Sequence, residues 1–148
     1  MDVGKRISLI SILIFVLSLC LIAFKVEDIG EIKDYKSFEV FLLGPISFLG
    51  GGIFEFLVWT ANGWFFISAL FCYKKSPLFS LIFGLVSFLT AGSFFFWKEI
   101  LAAENGRMGK IYSLEMGYFL WIASILFLVL SSFYLIIKSK FNENEIPT

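Results

Sequence analysis

Histidine is missing from this chain. That absence removes the commonest general base and the commonest metal ligand. Cysteine is nearly missing too, with only Cys20 and Cys72, so no thiolate cluster stands in for it. Charge is scarce: 16% of residues are Asp, Glu, Lys or Arg, and twelve basic residues cancel twelve acidic ones. No basic patch is interleaved with exposed aromatics, which excludes nucleic acid as a partner. The run Gly50-Gly51-Gly52 lacks the lysine and the strand–helix setting of a phosphate cradle. No nucleophile lies beside a base. A non-enzymatic protein is expected, with no catalytic residue, no cofactor and no metal.

Apolar residues fill the space these absences leave. The hydrophobic fraction is 59%, twenty residues are Phe, and the mean hydropathy is +0.89. Soluble domains use roughly 45–50% apolar residues. The apolar residues gather into four stretches, 7–24, 53–72, 78–97 and 118–137. Crossing a hydrocarbon core of about 30 Å takes roughly 20 helical residues. The expected fold is therefore an all-α membrane protein, an antiparallel bundle of four transmembrane helices in one domain over residues 1–148. The lipid bilayer is its first partner.

The first stretch follows Lys5 and Arg6, as the core of a signal peptide would. It is longer than such a core, and no small-residue cleavage site follows it. An uncleaved anchor is expected. Cys20 falls in the outer half of this helix and Cys72 at the inner end of the next, too far apart for a disulfide. Both are expected as free, buried thiols.

Lys5 and Arg6, Lys74 and Lys75, and Lys138 and Lys140 flank alternate helix ends. Basic residues in short links mark the cytoplasmic side. The expected location is a cell membrane, the inner one if the source has two, with both termini cytoplasmic. The remaining basic residues lie in two outer loops, 25–52 and 98–117, diluted by acids that include Glu104. Trp59, Trp97 and Trp121 fall near the outer level, as an interfacial aromatic belt does.

Residues 25–36 alternate in charge and are expected as a solvated loop. From Phe38 the chain turns apolar again, broken by Gly44-Pro45 and by the triple glycine. Residues 38–49 are expected as a short interfacial or re-entrant piece. Irregular backbone at that depth must be covered by protein, which implies a capped pocket on the outer face. Its floor would be Glu55, Trp59 and Asn62, which share one face of the second long helix at spacings of four and three, with Trp121 as a wall. Asn62 serves either as interhelical glue or as a coordinating group. Glu55 would pair with Lys98 or Arg107. Small residues form seams suited to close packing: Ser8, Ser11 and Ser18; Ser80, Gly84, Ser87 and Ala91; Gly117, Ser124 and Ser131. Serines in such seams usually bond to carbonyls of their own helix.

Two blocks carry a resemblance. One runs Phe38-Glu39-Val40-Phe41-Leu42-Leu43-Gly44, then Gly50, then Trp59-Thr60-Ala61-Asn62-Gly63; the other is Gly117-Tyr118-Phe119-Leu120-Trp121-Ile122-Ala123-Ser124. Together they resemble a family of small uncharacterised bacterial four-helix integral membrane proteins. The likeness extends from about Phe38 to Ser132, and Gly63 stands where that family usually has proline. It implies the topology and draws attention to Trp59, Asn62 and Trp121, but carries no reaction. Two functions remain in view. One is a membrane interaction or accessory protein, immunity-like in one form, whose partner is another membrane protein or itself. The other is a small-solute or ion carrier or channel acting as an oligomer.

Overall fold

The computed structural model describes residues 2–103 and 106–144; Glu104, expected in the second outer loop, lies outside them. The chain is mixed α/β, which corrects the all-α expectation. In chain order it forms α1 (Val3–Leu19), β1 (Ile22–Asp28), β2 (Glu31–Lys36) and α2 (Ser37–Leu43), which continues into a 3-10 helix (Gly44–Gly50). Then come α3 (Ile53–Tyr73), α4 (Pro77–Ser93) with a 3-10 turn (Phe94–Phe96), β3 (Glu99–Leu101), β4 (Met108–Leu114) and α5 (Met116–Asn144). The four strands make one antiparallel sheet in the order β2-β1-β4-β3.

Residues expected as a solvated loop are thus a β-hairpin. Its turn is Ile29-Gly30, with φ of 53° and 76°. Positive φ at both central residues gives a turn whose twist matches that of the paired strands. Along β1, Phe24, Val26 and Asp28 point inward and are buried, while Lys25 and Glu27 alternate outward. On β2, Tyr35 lies opposite Phe24, and their rings stack at 5.0 Å. On β1 the charges Lys25 and Glu27 are the outer half of a period-two pattern, while β2 carries charge on both faces. β1 also takes Ile22, Ala23 and Phe24, so the first helix ends at Leu19 rather than at residue 24.

Three helices are long and apolar enough to cross a membrane: Ile53–Tyr73, Pro77–Phe96 and Met116–Phe141. α1 is shorter, at 17 residues. The long helices form a ring in which α1 packs on α3 and α5, and α4 packs on α3 and α5. β1 follows the end of α1, α2 and its 3-10 helix precede the start of α3, β3 follows the end of α4, and β4 precedes α5. In an antiparallel ring those four helix ends coincide. The sheet therefore caps one end, and the Lys74-Lys75 link lies at the other.

Small residues line the helix contacts. Ser8, Ser11 and Ser18 of α1 and Ser80, Gly84, Ser87 and Ala91 of α4 are all buried. On α5 the buried pair is Ser124 and Ser132; Ser131, expected on that seam, is only half-buried. A Cβ on Gly84 would stand 2.9 Å from Val129 and 3.1 Å from the Ser68 hydroxyl, so α4 approaches α3 and α5 closely only through glycine. Several serines bond across helices rather than to their own carbonyls. Ser8 Oγ donates to Ala69 O at 2.9 Å, Ser87 Oγ to Ala61 O at 2.8 Å, and Ser68 Oγ to Ser80 O at 2.6 Å. Ser80 and Ser132 share a hydroxyl bond at 2.7 Å. Ser11, Ser18 and Ser124 do bond within their own helices. Cys72 is buried, but Cys20, at the exposed end of α1, is not.

Candidate functional site

The short α1 creates a notch. Ser8 meets Ala69 near the uncapped end of α3, and Ser18 and Leu19 line the same cavity as Trp59 and Asn62. α3 runs on from Trp59 to Ile53, about 9 Å farther at 1.5 Å per residue. α1 has no helix left to cover that length. α2 and the start of the 3-10 helix fill the gap instead, and a cavity of about 110 Å³ remains beneath them. Its walls come from the last turn of α1, from β1, α2, α3 and β3, from the 3-10 turn after α4, and from the capped end of α5.

All four residues singled out in the sequence line this one cavity. Trp121 Nε1 donates to Asn62 Oδ1 at 3.0 Å, joining α5 to α3, while Asn62 Nδ2 donates to Trp59 O at 3.0 Å. Trp59 Nε1 donates to Phe41 O at 2.8 Å and so holds α2 down on α3. The indole lies directly over Gly44, where a Cβ would collide with the ring. Gly44 is therefore required by close approach, beyond its part in breaking the helix.

Glu55 does not pair as expected. Its Oε1 accepts the Leu101 backbone N–H at 2.9 Å, tying the first turn of α3 to strand β3. A carboxylate in the first turn is favoured by the helix dipole. Arg107 turns elsewhere: its Nε lies 3.0 Å from Asp28 Oδ1 and its Nη2 donates to Asp28 Oδ2 at 3.0 Å. Lys33 Nζ donates to the same Oδ2 at 3.0 Å. Asp28 is 5% exposed. The Lys33 hydrogen bond, followed by the Arg107 charge, holds its carboxyl below the usual carboxylate range against the opposing effect of burial.

Phe15, Phe24 and Phe94 also line the cavity but gave no signal in the sequence, because in a chain with twenty phenylalanines they are indistinguishable from exposed ones; Phe41 and Tyr118, which line it as well, fall within the two blocks that carry the resemblance. Ser37 lines the cavity, and its hydroxyl is buried with no hydrogen-bond partner among the described residues. Gly117 makes room for it, since a Cβ there would collide with Ser37 Oγ. Among the described residues no group of three His, Cys, Asp or Glu side chains is placed to hold a metal ion. The arrangement can enclose an apolar group and offers few polar contacts to orient it. No protein-family model, no curated protein and no solved structure matches the chain.

Proposed function

We propose that this protein is a non-enzymatic, multi-pass membrane protein that works by binding. It serves as an accessory or immunity-like component that engages another membrane protein, or a second copy of itself, at its capped end. The observation that carries this reading is the blind cavity. Its lining comes from the capped half of the helices, and beyond it Phe65, Ile125 and Leu128 are fully buried in the packed core. The serines of the opposite half are spent on interhelical hydrogen bonds. A carrier or channel would need a polar route through that half.

The same reading assigns α1 as a fourth crossing, with both termini and Lys74-Lys75 cytoplasmic and the sheet outside. Asp2, Lys5 and Lys75 gather at the uncapped end, where Lys75 Nζ lies 3.9 Å from Asp2 and Lys5 lies over the Tyr73 ring. Basic residues clustered in short links favour the cytoplasmic side. Exposed Phe38, Leu42, Leu43, Ile46 and Leu49 make the cover of the cavity apolar on its outer side, which suits a seat in the outer interface. The residue blocks that resemble the small four-helix bacterial family fall largely on this cover and its floor.

A photoreactive residue at Leu49, which is 75% exposed, tests the reading in native membranes. The expected result is a discrete adduct with one membrane protein or with a second copy. Adducts with lipid alone, together with ion or solute flux from liposomes holding the purified protein, would favour the carrier instead.

A further inference from the structure

Among the described residues, Glu55 is the only charged side chain that lines the cavity. No described Lys or Arg forms an ion pair with it. Its Oε1 accepts the Leu101 N–H, and its Oε2 lies beside Gly52, where a Cβ would stand 3.0 Å away. A backbone N–H orients a carboxylate but brings no full opposite charge. Trp59 stands one turn deeper on the same face of α3, and Asn62 lies about 10 Å deeper than Glu55 at 1.5 Å per residue. Trp121 and Tyr118 add their rings from α5, and Phe41 adds one from α2. The cavity therefore joins electron-rich aromatic walls to one carboxylate without a counter-ion, at the end nearest the sheet.

We propose that the cavity binds a quaternary ammonium group, with the rings of Trp59 and its neighbours against the methyl groups and the Glu55 carboxylate as counter-charge. The face of an aromatic ring is negative and attracts a cation, most strongly at Trp. Other guests fit less well. An anion would find no Lys or Arg on the described walls and would be repelled by Glu55. A neutral molecule would leave the carboxylate unpaired against an apolar space, which is costly. A metal ion needs several oxygen ligands, and among the described residues no group of three His, Cys, Asp or Glu side chains is placed to supply them. A primary ammonium carries N–H donors of its own, which a lining of mostly aromatic and aliphatic residues does not satisfy. A quaternary ammonium has none, and its methyl groups match that lining. Size also suits: the volume is about 110 Å³, against an apolar cavity of roughly 150 Å³ known to hold benzene. Such binding uses the cavity assigned above but no protein partner, so cross-linking and ligand binding can fail separately.

Choline and its neutral carbon isostere, 3,3-dimethylbutan-1-ol, make a matched pair of probes. Each is titrated into the full chain in a maltoside detergent, and the indole N–H signals are followed by proton–nitrogen NMR. Trp59 and Trp121 line the cavity, while Trp64 stacks on Phe83 away from it and serves as internal reference. The expected result is a saturable shift of the Trp59 and Trp121 signals with Trp64 unmoved. Choline should bind about 2- to 30-fold more tightly than the alcohol, the range of a cation over an aromatic ring. Glu55→Gln keeps an acceptor for the Leu101 N–H and removes the charge. It should weaken choline by about 2- to 5-fold, as loss of a partly exposed ion pair does, and leave the alcohol unchanged. Equal or tighter binding of the alcohol, equal movement of Trp64, or undiminished choline binding by Glu55→Gln would overturn the proposal. The comparison of the two probes needs no variant, so it decides the matter even where Glu55→Gln fails to fold. Repeating the titration in nanodiscs of phosphatidylcholine and of an uncharged galactolipid separates two sources of such a group. A lipid headgroup seated there would raise the choline concentration needed in phosphatidylcholine, whereas a free molecule would leave it equal in both; both outcomes uphold the site.

Discussion

Trp121 and Asn62, fifty-nine positions apart, meet side chain to side chain at 3.0 Å across the α3–α5 contact. Asn62 is 6% exposed and also bonds back to its own helix at Trp59 O. The pair stands between the packed core of the bundle and the cavity, and Trp121 packs against both hydrophobic clusters of the molecule.

That position makes the pair measurable. Interhelical hydrogen bonds within membrane proteins contribute about 0.5–2 kcal/mol. Asn62→Leu leaves the Trp121 N–H without its acceptor and should lower unfolding stability in mixed micelles by about 1–2 kcal/mol. A double-mutant cycle with Trp121→Phe should give a coupling of about 0.5–1.5 kcal/mol. Additive losses would mean that the bond contributes nothing.

Gly84 allows α4 to approach Val129 and Ser68. Gly84→Leu should therefore destabilise the bundle by more than the roughly 1–3 kcal/mol of ordinary overpacking. Phe88→Leu, at a half-buried position beside the core, should cost less. Equal melting temperatures for the two variants would show that the seam tolerates volume.

Ile29 sits in the left-handed region at φ 53° with 77% of its surface exposed. A β-branched residue is strained there, and the left-handed conformation costs roughly 1–2 kcal/mol for a residue with a Cβ. Asn tolerates this conformation and suits the turn. Ile29→Asn should raise the stability of the hairpin by up to about 1 kcal/mol, read as greater resistance of the cap to limited proteolysis. A less resistant cap would mean that the Ile29 side chain makes contacts that matter.

Asp28 gives the cap a pH dependence of definite sign. Its folded-state pKa is lowered, first by Lys33 and then by Arg107. A lowered carboxyl pKa contributes stability that is fully present above the unfolded value, 3.8, and is lost as pH falls through the folded value. The melting temperature of the wild type should exceed that of Asp28→Asn at neutral pH, and the gap should close below pH about 4. A gap that persists unchanged into acid would assign the contribution of Asp28 to packing rather than charge.

Sidedness is open to direct labelling. In a Cys20→Ser, Cys72→Ala background, a cysteine at Lys110, exposed on β4, should react with an impermeant thiol reagent on intact cells. Reaction only after lysis would reverse the orientation proposed above.

The apolarity of α3, α4 and α5, each long and apolar enough to cross a membrane, was legible in the sequence because it is set by composition, residue by residue, although α5 runs on to Asn144, beyond the expected stretch. The same holds for the breaks at Gly44-Pro45 and Gly50–Gly52, whose backbone chemistry is local. The shared face of Glu55, Trp59 and Asn62 follows from helical spacing alone. The sheet was not legible. β1 pairs with β4, where Phe24 meets Leu114, and no local pattern announces a partner so distant along the chain. The outward faces of β1 and β2 carry charge, which reads equally well as a loop. Tertiary structure also decided where α1 ends, because Ile22–Phe24 are apolar enough for a helix but gain sheet hydrogen bonds as a strand. From that early end follow the notch and its α2 cover. Composition marks the helices one at a time, whereas the cap and cavity exist only where segments from five parts of the chain meet.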